Sequence, residues 1–360
     1  MKSLFSNTSL LIIAGGQSSR MKQDKRLIEV DGVSLLERIL IKATRENFAK
    51  IILCVEDFLP KIEEMAVKYN VEVIFDKFKN AGPMSGLAEG LSNISTDWAL
   101  AVSCDMPFFE FDVVAPLMSE LENVKVAMFS HQPLAAFYHK SMGNNFTNAL
   151  NNNNRKLQFV ISQVPNYIID SKSKEVFFNV NTKSDLKLAR GRAENINRKV
   201  PIISIIAPQS GTGKTTFIEK LIPKLSELGI RVGIVKSDTH GFNLDVEGKD
   251  SWRFNQAGAS SVAVVSPNGW FINQKSQERA EILEIINKMD YVDLVLTESR
   301  SHGTIPAISI YRGLSEPLIN ETVVAIFTDR HLEIQDIAQF DLNDIDQAIN
   351  ICIFLSGRSA

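Results

Sequence analysis

Residues 11–25 read LIIAGGQSSRMKQDK, and this stretch decides the fold of the first half of the chain. Its apolar start predicts a buried strand, Leu10–Ile13, and the glycines at 15 and 16 then allow the backbone to approach a phosphate or a base closely. Arg20 and Lys25 bring two positive charges to the same loop. A strand, a tight glycine turn and two cations together predict a site for a nucleoside triphosphate.

Short apolar runs alternate with amphipathic segments on the carboxyl side of this loop. The alternation predicts a mostly parallel sheet with helices on both faces. From residue 123 to 139 strand-like pieces follow one another without helices, which indicates an antiparallel excursion. The expected strands are Leu10–Ile13, Lys50–Val55, Glu72–Phe75, Trp98–Val102 and Val124–Phe129, and the expected helices include Leu35–Thr44 and Pro60–Lys68.

A second phosphate loop, SGTGKTT, occupies residues 210–216. It lies between an expected strand, Val200–Ala207, and an expected helix, Thr215–Leu228, which is the context that a P-loop requires. A further strand, Arg231–Lys236, continues the alternation. Pro208 stands where the strict pattern has glycine, but the phosphate cradle lies in the later part of the motif. The expected nucleotide-binding residues are Ser210, Gly211, Thr212, Gly213, Lys214, Thr215 and Thr216.

Carboxylates follow two of the expected strands and suggest magnesium sites. Asp105 comes directly after the strand Trp98–Val102, at the edge of a parallel sheet where ligands bind, and carboxylate oxygens suit Mg²⁺ held against phosphates. Glu298 follows the expected strand Tyr291–Thr297 and, with the Thr215 hydroxyl, would hold Mg²⁺ at the second loop. Metal ligands are therefore expected at Asp105, Thr215 and Glu298.

Two other segments belong with the first site. Residues 81–87, AGPMSGL, form a punctuated loop that opens a helix and offers backbone N–H groups to an anion. Residues 177–186, FFNVNTKSDL, place two amides, Asn179 and Asn181, two residues apart, and we expect them on one face of a strand.

The length and composition allow two globular domains. The chain has 360 residues, 44% hydrophobic and 22% charged, which is enough for two cores. The charged segment Arg190–Lys199 lacks apolar periodicity, so we expect a linker there between domains at residues 1–192 and 200–360. Both are expected to be α/β.

Charge and cysteine usage restrict the partners. The net charge of -3 gives no global attraction to nucleic acid or to an anionic membrane. No segment is as long as a membrane span. The three cysteines are far apart without CxxC spacing, so we expect reduced thiols, no zinc site and a cytoplasmic protein.

The first half resembles the molybdenum cofactor guanylyltransferase (MobA-type) family. The resemblance rests on LIIAGGQSSRMKQDK, AGPMSGL, SCDMP, QPLAAFYHK and FNVNTKSDL in this order. It implies a Rossmann-like nucleotidyltransferase fold of the glycosyltransferase-A type. The implied activity is transfer of GMP from GTP to Mo-molybdopterin, with Mg²⁺ as cofactor and release of pyrophosphate.

The same resemblance implies roles for individual residues. The nucleotide would contact Ile13, Ala14, Gly15 and Asp76, and its phosphates would contact Arg20 and Lys25. Asp105 would hold Mg²⁺, and Asn179 and Asn181 would lie near the molybdopterin or the metal. Arg20, Lys25 and Asp105 are therefore the expected catalytic residues.

The second half resembles the molybdopterin-guanine dinucleotide biosynthesis adapter (MobB-type) family. The resemblance rests on the P-loop, on THGFNLDVEGKDSWRFNQAGA at residues 239–259, and on YVDLVLTES at residues 291–299. It implies a fused P-loop domain that binds GTP, with molybdoenzyme acceptors or molybdenum insertion proteins as further partners. Family members often carry another histidine near His240, so a metal role and a plain loop histidine both stay open.

Two alternatives remain at this point. The first is another nucleotidyltransferase, acting with CTP or on a sugar phosphate. The second is a GTPase-type carrier fused to a nucleotide-regulated scaffold. The sequence AGG at residues 14–16 favours GTP over CTP, because the cytidylyl relatives usually carry alanine before the final glycine.

Overall fold

A computed structural model describes residues 4–15, 23–57, 59–237, 246–275, 280–298, 303–313 and 315–358. The chain divides into two compact units. The first comprises residues up to Ala193 with Gln335–Ile337 and Arg358–Ala360, and the second comprises Glu194–Ile334 and Ala338–Gly357. No helix within these described ranges is long and apolar enough to cross a membrane.

The first unit contains a mixed seven-stranded sheet with strand order β5-β4-β1-β6-β8-β7-β9. Its strands, with a short β2–β3 hairpin, are β1 (Thr8–Ile13), β2 (Glu29–Val30), β3 (Val33–Ser34), β4 (Lys50–Val55), β5 (Glu72–Phe75), β6 (Trp98–Ser103), β7 (Val126–Phe129), β8 (Ala135–His139) and β9 (Asn166–Ile169). Strands β5, β4, β1 and β6 are parallel, whereas β8 runs antiparallel to both β6 and β7. The expected antiparallel excursion is confirmed.

Helices cover both faces of this sheet, so the first unit has three layers. The helices of this unit are α1 (Leu35–Ala43), α2 (Pro60–Lys68), α3 (Pro83–Ser92), α4 (Ala115–Met118), α5 (Met142–Asn151), α6 (Leu157–Ser162) and α7 (Lys183–Ile196). Along β1 the side chains alternate between faces. Leu10 and Ile12 pack with α1 and α2 on one side, and Leu11 and Ile13 pack with α3 and α5 on the other.

The second unit is built on a six-stranded sheet of order β11-β14-β10-β15-β16-β17, in which every pair is parallel. Two further strands, β12 and β13, form a separate antiparallel hairpin. The strands are β10 (Ile202–Ile206), β11 (Val232–Lys236), β12 (Ser261–Ser266), β13 (Gly269–Gln274), β14 (Leu294–Glu298), β15 (Ala307–Tyr311), β16 (Val323–Thr328) and β17 (Ala338–Asp341).

Helices also lie on both faces of the second sheet. The helices of this unit are α8 (Lys214–Glu227), α9 (Asp250–Gln256), which lies beside the β12–β13 hairpin, α10 (Ile282–Asn287) and α11 (Ile345–Ser356). Phe217 of α8 packs on Phe327 of β16, with 5.1 Å between ring centroids. Ile286 of α10 packs against Ile202 and Val295. Both units are thus α/β domains with helices on each side of a sheet, as the sequence predicts.

The expected linker at Arg190–Lys199 is wrong in part, because α7 continues to Ile196. Ala189 and Ala193 lie four residues apart, on one face of that helix, and are buried against Ile28, Val30 and Leu35. Two small side chains carry little apolar signal in a charged segment. The end of this helix is therefore not predicted by a pattern of large apolar residues.

Candidate active site

The loops that follow β1, β4 and β6 emerge at one edge of the first sheet. The register aligns Ile13 with Cys54 on one side and with Ser103 on the other, so these three strands end together. Asp105 follows β6 by two residues, and Asp76 follows β5 directly. The carboxyl edge of a parallel sheet is where open α/β folds bind ligands.

Lys25, Asp105 and Asn181 meet at this edge. The Lys25 Nζ donates to Asp105 Oδ2 at 2.5 Å and to Asn181 Oδ1 at 2.7 Å. The Lys25 and Asp105 side chains are 18% and 16% exposed, so this ion pair is largely shielded from water. The structure thus brings together three of the expected residues, which are 80 and 156 positions apart in sequence.

The loop at residues 177–182 corrects one expectation. Asn179 and Asn181 do not share a strand face, because these residues form a loop between a 3-10 turn, Glu175–Phe177, and α7. The Asn179 Nδ2 instead donates to the Phe177 carbonyl at 2.8 Å. Only Asn181 of this pair reaches Lys25 by a hydrogen bond that the described residues show.

A capping interaction holds Asn181 in place. The Asp185 Oδ2 accepts from the backbone N–H groups of Asn181 and Thr182 at 2.9 and 2.8 Å, and the Thr182 Oγ1 accepts from the Asp185 N–H at 3.1 Å. This reciprocal pattern is a capping box at the start of α7. The sequence TKSD at residues 182–185 has the capping-box pattern, and the helix start that it sets explains why a turn is found where a strand was expected.

A buried arginine, which the sequence reading missed, supports the Lys25 turn. The Arg26 guanidinium makes a fork to Asp24, through Nε to Oδ1 at 2.9 Å and Nη2 to Oδ2 at 2.6 Å. Its Nη2 also donates to Asp57 Oδ1 at 2.7 Å. Because Arg26 is only 8% exposed, this network fixes the backbone that carries Lys25. Asp24, two residues before Arg26, was the feature of the sequence that could have indicated this ion pair.

Asp76 lies against the glycine turn after β1. A Cβ at Gly15 would be 2.7 Å from Asp76 Oδ2, so any larger residue at this position would force the Asp76 carboxylate to move. A Cβ at Gly86 of α3 would lie 3.3 Å from Asp76 Oδ1. That oxygen is buried without a hydrogen-bond partner in the described part of the chain. Gly15 and Asp76, both expected to contact nucleotide, are therefore neighbours.

The environment of Asp76 disfavours its charged form. Burial, followed by the negative charges of Glu56 and Glu89, raises the pKa of Asp76 to about 6. Glu89 is itself buried and forms an ion pair with Lys77 at 2.7 Å. A carboxyl group whose pKa is raised in this way, at the edge of a sheet, is a candidate for ligand contact.

Replacing Asp76 with asparagine should therefore stabilise the first unit at neutral pH. The folded pKa, about 6, lies above the ordinary value of 3.8, so ionised Asp76 opposes folding above pH 6 and ceases to do so near pH 4. We expect a higher midpoint of urea unfolding for the variant at pH 7.5 and little difference at pH 4. Trp98 fluorescence reports this unit when Trp252 and Trp270 are changed to phenylalanine.

Asp97→Asn is the control for this prediction. Asp97 forms an exposed ion pair with Lys140, whose hydrogen bond lowers the Asp97 pKa, so its removal should not raise the midpoint at pH 7.5. A contact of Asp76 with nucleotide further predicts weaker GTP binding in the more stable Asp76→Asn protein. A lower midpoint for Asp76→Asn at pH 7.5 would contradict the prediction that ionised Asp76 destabilises the folded first unit.

The second phosphate loop joins β10 to α8. Gly211 and Gly213 have φ of 77° and 102°, the left-handed region that glycine favours. Lys214 begins the helix, and the Thr215 and Thr216 side chains are exposed. The Thr212 side chain is buried and donates to the Gln209 carbonyl at 2.9 Å, so its backbone is the part that can face a phosphate.

Thr215 and Glu298 lie together beside this loop. Glu298 ends β14 opposite Ile205 of β10, and the Thr215 Oγ1 donates to its two carboxylate oxygens at 3.1 and 3.0 Å. A hydroxyl and a carboxylate side by side are ligands suited to Mg²⁺. Among the described residues, no cluster of three or more His, Cys, Asp or Glu forms a metal site.

Arg20, an expected catalytic residue, and His240, whose role stayed open, both lie outside the described ranges. The three cysteines are free and buried, as expected of reduced thiols.

Comparison with known proteins identifies both halves. A profile of the MobA-like NTP transferase domain matches residues 10–166, and one of molybdopterin guanine dinucleotide synthesis protein B matches residues 202–329. The molybdenum cofactor guanylyltransferase of Vibrio cholerae is 30% identical over 189 residues, which cover 50% of this chain and 90% of that protein. The molybdopterin-guanine dinucleotide biosynthesis adapter protein of Haemophilus influenzae is 38% identical over 157 residues, covering 42% and 87%. The chain belongs to both families.

Solved structures resemble each half separately. Molybdopterin-guanine dinucleotide biosynthesis protein A from Archaeoglobus fulgidus is 24% identical with a TM-score of 0.45, covering 51% of this chain and 97% of that one. Bacillus subtilis MobB is 23% identical with a TM-score of 0.34, covering 42% and 97%. This guanylyltransferase–adapter fusion is a nucleotidyltransferase by family, and the resemblance inferred from its motifs is confirmed.

Proposed function

We propose that the first unit transfers GMP from GTP to Mo-molybdopterin, forming Mo-molybdopterin guanine dinucleotide and pyrophosphate. The observation that carries the proposal is the contact of Lys25 with both Asp105 and Asn181 at the carboxyl edge of β1 and β6. A cation, a carboxylate and an amide oxygen at that edge suit a triphosphate and its metal. Membership of the guanylyltransferase family supports the choice of GTP and Mo-molybdopterin as substrates.

The reaction requires positioning and charge neutralisation more than covalent help. A terminal phosphate oxygen of molybdopterin attacks the α-phosphorus of GTP in line. A new P–O bond forms, the bond to the β-phosphate oxygen breaks, and pyrophosphate leaves with the electron pair. Lys25, and Arg20 by the resemblance, would offset the negative charge on the phosphates. Ile13, Ala14, Gly15 and Asp76 would hold the nucleotide.

The residues at this edge fit a magnesium ion. Asp105 Oδ1 is buried and has no hydrogen-bond partner among the described residues, and Asn181 adds an amide oxygen nearby. Mg²⁺ commonly takes one or two protein oxygens and completes its shell with water and substrate phosphates. When bound, it would neutralise phosphate charge. Asp105 would hold it, with Asn181 close to the metal or the molybdopterin.

We propose that the second unit binds GTP through residues 210–216 and Mg²⁺ through Thr215 and Glu298. It would act as an accessory that delivers nucleotide or contacts molybdoenzyme acceptors and molybdenum insertion proteins. The proposed domains are residues 1–192 and 200–360. We place the protein in the cytoplasm, with no nucleic-acid or membrane partner.

Base choice is the sharpest test of this proposal. With equal GTP and CTP, Mo-molybdopterin and Mg²⁺, the product mass should be that of the guanine dinucleotide by a wide margin. A site that hydrogen-bonds one base rejects another that leaves its polar groups unpaired, by a factor of about 10⁴ in favourable cases. A cytosine dinucleotide as the main product would overturn the guanylyl assignment. Absence of any dinucleotide or pyrophosphate would favour the scaffold alternative.

A further inference from the structure

An arginine outside the phosphate-loop motif lies directly beside that loop. Arg312 follows β15, the strand next to β10, and its side chain reaches Gly213. A Cβ built on Gly213 would be 3.5 Å from Cζ and Nη2 of Arg312 and 3.6 Å from Nε. The nearly equal distances indicate that the guanidinium lies with its face towards this glycine. Arg312 thus adds a second cation to a loop that already carries Lys214.

The backbone of Arg312 is held by a second arginine. The Arg330 Nη2 donates to the Arg312 carbonyl at 3.0 Å, and the Arg330 Nε donates to Asp329 at 3.0 Å. Gly313 has φ of 73°, and a Cβ there would overlap the Arg330 guanidinium. Gly313 therefore leaves space for the Arg330 guanidinium, which bonds the Arg312 carbonyl.

The Arg312 guanidinium has an unused hydrogen-bonding capacity. It is exposed, and within the described ranges it donates no side-chain hydrogen bond, although guanidinium has five N–H donors. Arginine forks match phosphate oxygens in geometry and charge. A cation with free donors beside a phosphate cradle is placed to meet an anion.

We propose that Arg312 contacts the phosphates of the nucleotide bound by residues 210–216. This inference rests on the proposed binding of nucleotide by the second unit. The cradle of a P-loop holds the α- and β-phosphates, and Gly213 belongs to it. Arg312 therefore meets the α- or β-phosphate, and its contribution is the same for a nucleoside diphosphate and a triphosphate.

Binding of GDP and GTP to the full-length chain tests the proposal. We expect Arg312→Ala to raise the Kd of the second site for both nucleotides about 10-fold to 100-fold, as for a lost charged hydrogen bond. Arg312→Lys should keep part of the affinity, since it keeps the charge and loses the fork. Arg253→Ala is the matched control, because Arg253 is an exposed arginine on α9 of the same unit.

Lys214→Ala separates failure of this proposal from failure of the underlying function. If Lys214→Ala leaves the nucleotide affinity unchanged, the second unit does not bind through its P-loop, and the proposed function fails. If Lys214→Ala weakens binding but Arg312→Ala matches the parent, Arg312 is not a phosphate contact. Loss of GTP affinity with unchanged GDP affinity would overturn its placement at the α- or β-phosphate. Thermal unfolding of Arg312→Lys and Arg312→Ala checks that both fold.

Discussion

Asp105→Asn is expected to abolish dinucleotide synthesis while the protein stays folded. Asparagine has the shape of aspartate and can still accept from Lys25, which lies 2.5 Å from Asp105 Oδ2. The variant lacks the negative charge that would hold Mg²⁺ against the phosphates. Loss of one electrostatic contact to a transition state costs about 10²-fold to 10³-fold in kcat, and loss of the metal should cost at least this.

The measurement is pyrophosphate release at saturating GTP and Mo-molybdopterin across a range of Mg²⁺ concentrations. Asp97→Asn serves as the control, since it removes an equal charge from an exposed ion pair with Lys140 on the same unit. Its kcat should equal that of the parent, and both variants should keep the parent's circular dichroism spectrum. Near-normal turnover of Asp105→Asn with ordinary Mg²⁺ dependence would remove Asp105 from the mechanism.

Lys214→Ala is expected to weaken nucleotide binding at the second site strongly and to leave guanylyl transfer intact. Lys214 begins α8 directly after the glycine cradle, where a P-loop lysine reaches the β- and γ-phosphates. Loss of this charged contact should weaken GTP affinity on the order of 100-fold. Calorimetric titration with GTP should therefore show the loss of one of two binding events.

Lys224→Ala provides the comparison on the same helix. Lys224 pairs with Asp346 in an exposed ion pair, which contributes little to folding and nothing to the phosphate loop. This variant should retain both binding events. If Lys214→Ala also stopped dinucleotide synthesis, the P-loop would take part in the chemistry, and the accessory role proposed for the second unit would be wrong.

Elements with a strong local pattern could be predicted from the sequence to the residue. Strands Lys50–Val55 and Glu72–Phe75 and the helix Pro60–Lys68 have the expected bounds. Proline at the first position of that helix marks its start, because proline lacks only an N–H that would be unsatisfied there. Elsewhere the bounds shift: the strand expected from Tyr291 begins at Leu294, and Tyr291 itself has φ of 60°, which excludes it from a strand.

The segments that were mispredicted take their structure from packing and caps. In residues 177–182 the expected strand rested on the two-residue spacing of Asn179 and Asn181, but the Asn179 amide bonds the Phe177 carbonyl and the Asp185 capping box starts α7 here. The end of α7 is held by the buried side chain of Asn195. Its Nδ2 donates to the carbonyls of Ile202 and Leu355, and its Oδ1 accepts from the Ile202 N–H. Leu355 is 160 residues away in sequence, and such a partner leaves no local periodic signal.

Local sequence features were enough to locate two glycine-rich loops, each after a buried strand, and to show that the chain joins two families of one pathway. Glycine spacing, strand-end carboxylates and the lysine of SGTGKTT are local features. Their spacing within one strand–loop–helix segment is enough to predict a phosphate loop, without knowledge of residues distant in sequence. Which side chains come into contact depends on the folded arrangement of the strands and could not be predicted locally. The Lys25–Asp105–Asn181 cluster and the raised pKa of Asp76 depend on strand order and register in the first sheet. The position of Arg312 beside Gly213 depends in the same way on the second sheet, because strand order brings together residues that are distant in sequence.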